Sequence, residues 1–524
     1  MTRPELSIGE ALVGLLEAYG VDTIFGIPGV HNIEMYRALP RSKIRHILPR
    51  HEQGVGFMAD GYARATGKPG VCFTITGPGL TNILTPMGQA WSDSSPIFVI
   101  STCLDVKDSA QGRGRLHEMI DQLGAAKSVT NLAMRAYTAK DVQDCVARAF
   151  SHFASSRPRP AYLEIPIDVL KQPAGDGWHA HNVMSRPHAN ERLLQEAVTR
   201  LSGARTPVII AGGGALGAGK SIARLAEKIS AAIITTTAGK GVVPASHPQN
   251  WGYRLGDGRV QQILTESDCI LAIGTELSET DFWSTDFTIT RNLIRIDIDP
   301  SSLARPHTAE IAILGDATET MKSIEQRTAR RGQAATAAPP FSDATELRKD
   351  LSMVLAIIRK HLPEETVIAT DMTQIAYAAN EIFPVDHPRS WIHPVGFGTL
   401  GFALPAGIGA KFGVGTRPVA IIHGDYGLQY TINELGTAVE HKLPIPILLW
   451  NNDALGQIRD NMVEAGIQPN AVTLRNPDFQ MLAKAYGCAA AKPKSLEELG
   501  KAITAALKAD GPTLIEMTPA MVNG

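Results

Sequence analysis

Two apolar runs near the C-terminal end of the chain finish in oxygen-bearing side chains. "VAIIHGD" closes on Gly424-Asp425, and "IPILLWNN" closes on Asn451-Asn452. Asp425 and Asn452 stand 27 positions apart; between them Ile432, Leu435 and Val439 fall on one helical face and Pro444 ends the segment. A strand–helix–strand crossover of this kind makes its strands parallel, so their carboxyl ends share one edge of the sheet, where open α/β sheets bind ligands. One carboxylate and one amide there supply two hard oxygens. Magnesium takes few protein ligands of that type and completes its octahedron with phosphate and water. A backbone carbonyl just past Asn452 could be a third ligand, and the helix after Asp425 would offer N–H groups to a phosphate. The alternative is a Gly-Asp turn capping a helix, with Asn-Asn an ordinary loop.

Three further groups could move protons. Glu52, in "RHEQGVGFMADGYARATG", falls at the expected start of a helix. There a carboxylate either complements the helix dipole, worth about 0.3–1 kcal/mol, or does acid–base work. His31 in "GIPGVHN" and His117 in "GRLHEM" carry imidazoles, which near neutral pH both donate and accept; each could equally be a loop or core histidine satisfying one hydrogen bond. A different chemistry is suggested by "GALGAGKS" (214–221), which fits the phosphate-loop pattern with Lys220 and would make the chain a nucleotide hydrolase. The overlapping "AGGGALG" fits the dinucleotide pattern G-x-G-x-x-G. One glycine turn that satisfies two incompatible patterns specifies neither.

Elements that could position these groups recur along the chain. Strand-length, Val/Ile-rich runs occur at 71–76, 96–101, 162–167, 207–211, 232–236, 269–274, 293–299, 366–371, 419–425 and 445–452. They lack polar alternation, as suits strands buried on both faces of a parallel sheet. Helical stretches lie between many of them, such as "IGEALVGLLEAYG" with Leu12, Leu15, Leu16 and Tyr19 on one stripe and Gly20 as a stop. The expected fold class is α/β. Segments 171–190 and 326–343 lack periodicity and read as linkers. They leave three doubly wound parallel-sheet domains, 1–172, 190–328 and 344–524, with no sequence repeat among them. Hydrophobic content of 44% and a net charge of -2 describe an ordinary soluble globular chain with no signal for nucleic acid or membrane surface. The five cysteines, at 72, 103, 145, 269 and 488, form no C-x-x-C pair and suit a reducing compartment. No leader and no membrane-spanning run is evident, so the expected location is the cytoplasm.

The spacing of Gly-Asp and Asn-Asn, together with "FGIPGVHN" (25–32), "RHEQGVGFMADGYARATGKPGVCFTITGPGLTN" (50–82), "GFGTLGFALPAGIGAK" (396–411) and "INELGTAVEHKLPIPILLWNN" (432–452), resembles the thiamine-diphosphate-dependent acetolactate synthases and 2-oxo-acid decarboxylases. The resemblance is dense in the first and third blocks and loose in the middle one. It implies pyrimidine-binding, central and diphosphate-binding domains in that order. Asp425, Asn452 and the Ala454 carbonyl would then hold Mg2+ against the diphosphate beside Gly424, with Tyr426 standing where many relatives carry a small residue. Glu52 would share a proton with the pyrimidine N1′, so that the cofactor's own amino group can deprotonate its thiazolium C2. Leu400 would wedge between the two rings, with the Gly398 carbonyl near the amino group. In this family the glutamate and the diphosphate site come from different subunits, so a homodimer would be the smallest active unit, often doubled to a tetramer.

The resemblance further implies a small-molecule 2-oxo acid that loses carbon dioxide. Protonation of the resulting C2 carbanion–enamine gives an aldehyde, and addition to a second carbonyl gives an acetolactate synthase-like carboligase. His31 and His117 are the candidates for proton transfer, and Val30, Gln457 and Asn461 the candidates for facing substrate. Acetolactate synthases usually carry glutamine, methionine and tryptophan at the positions of His117, Gln457 and Asn461. The middle segment "TELSETDFWSTDF" lacks the arginines of their Arg-Phe-Asp-Asp-Arg run. That loss removes the partner of an acceptor carboxylate and puts FAD in doubt. Glu276, Glu279 and Asp281 stand there instead, either as a solvated loop or as a counter-charge for a cationic substrate tail. The overall pattern resembles 5-guanidino-2-oxopentanoate decarboxylase.

Overall fold

The computed structural model describes residues 6–522 except 110, 331–337 and 340–347. Three wholly parallel sheets follow one another along the chain. The first holds β1 (Thr23–Gly26), β2 (Arg45–Ile47), β3 (Gly70–Thr74), β4 (Ile97–Cys103), β5 (Leu132–Arg135) and β6 (Ala161–Pro166), in the order β2-β1-β3-β4-β6-β5. The second holds β7 (Pro207–Ala211), β8 (Ala232–Thr235), β9 (Cys269–Ile273), β10 (Leu293–Asp297) and β11 (Ile311–Leu314), in the order β11-β10-β9-β7-β8. The third holds β12 (Val367–Thr370), β13 (Trp391–Ile392), β14 (Val419–Gly424), β15 (Pro446–Trp450), β16 (Ala489–Ala491) and β17 (Thr513–Met517), in the order β13-β12-β14-β15-β17-β16. Every apolar run read from the sequence is one of these strands. The fold is the expected doubly wound α/β architecture, three times over. The first and third sheets share one strand order, a structural repeat that leaves no sequence repeat.

Local chemistry accounts for the elements. Ser7 and Glu10 form a reciprocal capping box at the start of helix Ile8–Ala18. Leu12, Leu15 and Leu16 of that helix are buried, Tyr19 stacks on Phe150, and Gly20 follows at positive φ. Residues 174–190 form neither helix nor strand. The second expected linker differs at its start, where helix Ala317–Arg327 runs into it; most of the remainder lies outside the described residues. The segment after Asp425 is not one continuous helix. It breaks into Asp425–Thr431, a 3-10 turn Ile432–Glu434 and Leu435–Glu440, because Thr431 donates to the Gly401 carbonyl and Glu434 turns its carboxylate toward another domain.

That turn belongs to a direct contact between the outer domains. Helix Glu52–Thr66 crosses helix Ala403–Val414 at glycines. A methyl group on Gly61 would lie 1.9 Å from the Ala406 oxygen, and one on Gly409 1.9 Å from the Met58 oxygen. The two backbones touch, and Phe57, Met58, Phe402 and Ala406 join one core that spans both domains. Among the described residues no helix is long and apolar enough to cross a membrane.

Candidate functional site

The third sheet brings Asp425 and the two asparagines together. β14 and β15 pair with Gly424 opposite Trp450, so Asp425 and Asn451-Asn452 leave the sheet at the same edge. Asp425 is buried, and burial raises its carboxyl above the ordinary range. Its Oδ1 accepts from the Tyr426 N–H at 2.8 Å, and its Oδ2 accepts from Asn476 Nδ2 at 2.8 Å. The same Asn476 nitrogen lies 2.9 Å from Asn451 Oδ1 and 3.1 Å from Asp453 Oδ1. Three acceptors compete for one NH2 group that has two hydrogens, so this edge holds more acceptor oxygens than that amide can satisfy.

The two asparagines divide their work. Asn451 donates to Glu516 at 2.9 Å and ties the strand end to β17. Asn452 directs its Nδ2 toward Gln374 Oε1 at 3.4 Å, and no hydrogen bond among the described residues engages its Oδ1. Ala454 bridges to Thr473 through bonds made by its neighbours, Leu474 N–H to the Asp453 carbonyl and Leu455 N–H to the Val472 carbonyl, so its own carbonyl stays outside that ladder. One carboxylate, one amide oxygen and one carbonyl suit magnesium rather than a softer metal. Among the described residues no cluster of three or more His, Cys, Asp or Glu could hold a metal.

The Gly398–Gly401 turn is pinned from both sides. Gly398 and Gly401 take φ of 65° and 83°, which favours glycine. Thr399 gives its N–H and its hydroxyl to Gln89 Oε1 at 3.2 and 2.7 Å. Just beyond the turn, Asp371 accepts from the Ala403 N–H at 3.1 Å and lies 3.2 Å from the fully buried His423. Leu400 is half-buried at the middle of this turn.

The first sheet carries the proton-handling groups. Glu52 begins its helix, half-buried, and accepts from Asn82 Nδ2 at 3.0 Å. His31 and His117, 86 positions apart in sequence, meet with ring centroids 5.0 Å apart, and each keeps a buried Nδ1 with no hydrogen-bond partner among the described residues. Burial, followed by the nearby His117, lowers the His31 pKa and so favours the neutral ring. His117 stands at φ 62°, with its carbonyl against Gly77, where any larger residue would collide. His31 follows β1 and Gly77 follows β3, the strands between which the order of this sheet reverses, which is where such sheets open a crevice. Asn32 braces the loop by accepting from the Gly29 N–H at 2.7 Å, and leaves Val30 66% exposed.

Within one chain the two groups remain separate. Among the described residues no hydrogen bond, ion pair or ring contact joins Glu52, His31 or His117 to Asp425, Asn452 or Leu400. Gln457 donates to Asn461 at 2.9 Å on the exposed helix Gly456–Glu464. The middle domain gives its acids other partners. Glu276 pairs with Arg157 at 2.8 Å and Arg159 at 2.9 Å. Asp281 caps Ser278, with its carboxyl raised to about 6 by burial; only Glu279 faces solvent. Of the three acids two are thus engaged within the protein, while the segment keeps exposed positions at Glu279, Trp283, Thr285 and Asp286. The glycines of 212–219 serve close packing: Gly274 carbonyl and Val242 carbonyl occupy the space beside Gly212 and Gly219, and Lys220 is exposed. This packing removes the support that those glycines lent to a phosphate loop or a dinucleotide site.

Sequence reasoning missed Asn476, Asp371, Gln374 and Glu434. Asn476 lies 51 positions from Asp425 in a segment without helix or strand period, so no local pattern marks it. Glu434 follows another polar residue, Asn433, and carries no local mark of burial. It is fully buried, accepts from the Arg50 N–H at 3.0 Å and from Thr437 at 2.7 Å, and burial pushes its carboxyl up to about 7.

Comparison with known proteins finds three domains in the same order. Three family models match in order: Thiamine pyrophosphate enzyme, N-terminal TPP binding domain, over residues 6–125; its central domain over 194–324; and its C-terminal TPP binding domain over 371–517. A "Probable 2-ketoarginine decarboxylase AruI" of Pseudomonas aeruginosa is 45% identical over 98% of this chain and 94% of its own length. A "Probable acetolactate synthase large subunit" of Methanococcus aeolicus is 30% identical over 97% and 91%, and an "Acetolactate synthase large subunit" of Corynebacterium glutamicum 31% over 98% and 87%.

Proposed function

The chain belongs to the thiamine pyrophosphate enzyme family, and on that premise we propose that it decarboxylates a 2-oxo acid without oxidation. The bound cofactor supplies an electron sink for the pair released when carbon dioxide leaves. The residues of the chain do the rest. Asp425, Asn452 and the Ala454 carbonyl hold Mg2+ at the diphosphate, beside Gly424. Glu52 holds a proton at the pyrimidine N1′, and Asn82 orients its carboxylate. Leu400 and the Gly398 carbonyl would lie against the cofactor. His31 and His117, in ring contact, donate and accept protons at the substrate, with Val30, Gln457 and Asn461 around it. The observation that supports the reading is the pairing of β14 with β15, which brings the strand ends at Asp425 and Asn451-Asn452 to one edge of the sheet, where hard oxygens suit a magnesium–diphosphate site.

Each chain carries half a site, so the working unit is a homodimer or a tetramer of two dimers. Exposed apolar residues beside each half support this, Leu116 and Ile120 near His117, and Ile458 and Val463 on the helix of Gln457. The division into working domains is 1–172, 190–328 and 344–524, and the location is the cytoplasm. The loss of the arginines from 275–287 leaves FAD in doubt.

The substrate is 5-guanidino-2-oxopentanoate, the acid named 2-ketoarginine in the relative from Pseudomonas aeruginosa. An acetolactate synthase-like carboligase is the second reading, motivated by relatives at 30–31% identity; the replacements at Gln457 and Asn461 weigh against it. The test supplies thiamine diphosphate and Mg2+ and compares the guanidino acid, pyruvate and an uncharged longer 2-oxo acid by carbon dioxide release and product analysis. An aldehyde formed fastest from the guanidino acid is expected. A hydroxy-keto acid would replace the decarboxylase reading, and equal rates on all three would remove the substrate assignment.

A further inference from the structure

Asn452 is useful to a metal only if its oxygen, not its nitrogen, faces the ion, and the two ends of an amide have nearly the same shape. Something must decide which way it points. Its Nδ2 faces Gln374 Oε1 at 3.4 Å, and Gln374 is itself a buried amide with the same ambiguity. The other end of Gln374 settles the matter: its Nε2 lies 2.7 Å from Asp460 Oδ2. A carboxylate only accepts hydrogen bonds, so the NH2 of Gln374 must face Asp460. Its oxygen must then face Asn452, the NH2 of Asn452 must face Gln374, and the Asn452 oxygen is left pointing the other way. Arg459 engages the second oxygen of Asp460 at 3.0 Å, which leaves Oδ2 to Gln374. The relay is tightly packed, since a side chain on Gly456 would collide with both Gln374 Oε1 and Asn452 Nδ2.

We propose that Asp460 and Gln374 are positioning residues for the metal site, forming a relay of fixed polarity that presents the Asn452 oxygen to the divalent cation. This inference rests on the magnesium reading of Asp425 and Asn452. Asp460 lies on the helix that carries Gln457 and Asn461, so the candidate substrate-facing element also orients the ligand.

The test measures Mn2+ affinity by electron paramagnetic resonance, with thiamine diphosphate present and no substrate, on the purified full-length chain. Outer-shell partners of metal ligands contribute about 10–100-fold in affinity. Asp460→Asn, isosteric and on an exposed helix, is expected to weaken Mn2+ binding about 10-fold with the thermal midpoint unchanged. Gln374→Glu alone sets two acceptors face to face and is expected to weaken it as well. The double variant Asp460→Asn/Gln374→Glu restores the polarity, because Asn donates to Glu and Glu accepts from Asn452, and affinity is expected to recover. Unchanged affinity in Asp460→Asn, or a double variant no better than the single, overturns the relay. Asp425→Asn separates the two levels. If it binds Mn2+ as tightly as the unaltered chain, the metal site itself is misassigned; if it loses Mn2+ while Asp460→Asn does not, only the relay fails.

Discussion

Gly409→Ala adds a single methyl group where the two outer domains touch, and its effect can be worked from the geometry. The new carbon would sit 1.9 Å from the Met58 carbonyl oxygen. An ordinary carbon–oxygen approach is about 3.3 Å, so the helices must part by about 1.4 Å. A gap of about 0.5–1 Å already forfeits a quarter to a half of each dispersion contact across an interface. Overpacking usually costs about 1–3 kcal/mol, and with backbone on both sides and no flexible side chain to yield, the upper end of about 3 kcal/mol is expected. For a cooperative unit of about 150–250 residues that lowers the thermal midpoint by about 6–12 °C. Turnover should fall too, because the displaced helix begins with Glu52. Gly14→Ala is the control. Gly14 lies exposed within helix Ile8–Ala18 with nothing within 4 Å of an added methyl, so the same substitution there should stabilise by about 0.5–1 kcal/mol. Thermal scanning at one fixed rate compares the three proteins, since a chain of this size tends to unfold irreversibly. A Gly409→Ala midpoint within about 1 °C of the unaltered protein, outside the range above, would refute the claim that backbone contact at this crossing joins the domains.

Three other outcomes follow from single groups. Glu52→Gln should lower kcat by about 10²–10⁴-fold while calorimetry finds thiamine diphosphate affinity nearly unchanged; equal loss of both would make Glu52 a binding residue. Glu434 is neutralised by burial up to about pH 7, so between its ordinary value of 4.5 and 7 the folded chain binds more protons than the unfolded one, and stability should fall as pH rises through that window by about 3 kcal/mol. Glu434→Gln should flatten that part of the midpoint-versus-pH curve, and identical curves would contradict the assignment. Lys220→Ala should leave carbon dioxide release unaltered, given its exposure and the filled glycine turn; lost turnover with cofactor binding intact would restore a nucleotide role.

By itself the sequence determined ten of the strands, because runs such as 207–211 and 419–424 are continuously apolar and β-branched and can be satisfied only inside a sheet. It also determined which residues could serve chemistry at strand ends, since a crossover forces Asp425 and the Asn451-Asn452 pair onto one edge wherever the rest of the chain goes. Short strands such as Arg45–Ile47, Trp391–Ile392 and Ala489–Ala491 escaped it because two or three residues carry too little period to read. The tertiary structure alone decided what each polar side chain faces: that His31 meets His117, that Glu276 belongs to Arg157 and Arg159, that Asn476 crowds Asp425, and that Glu434 reaches the residues before Glu52. The reason is that hydrogen-bond direction and burial depend on residues remote in the chain. Periodicity reports only which face of an element is apolar, while a partner 51 or 384 positions away leaves no mark on the local pattern.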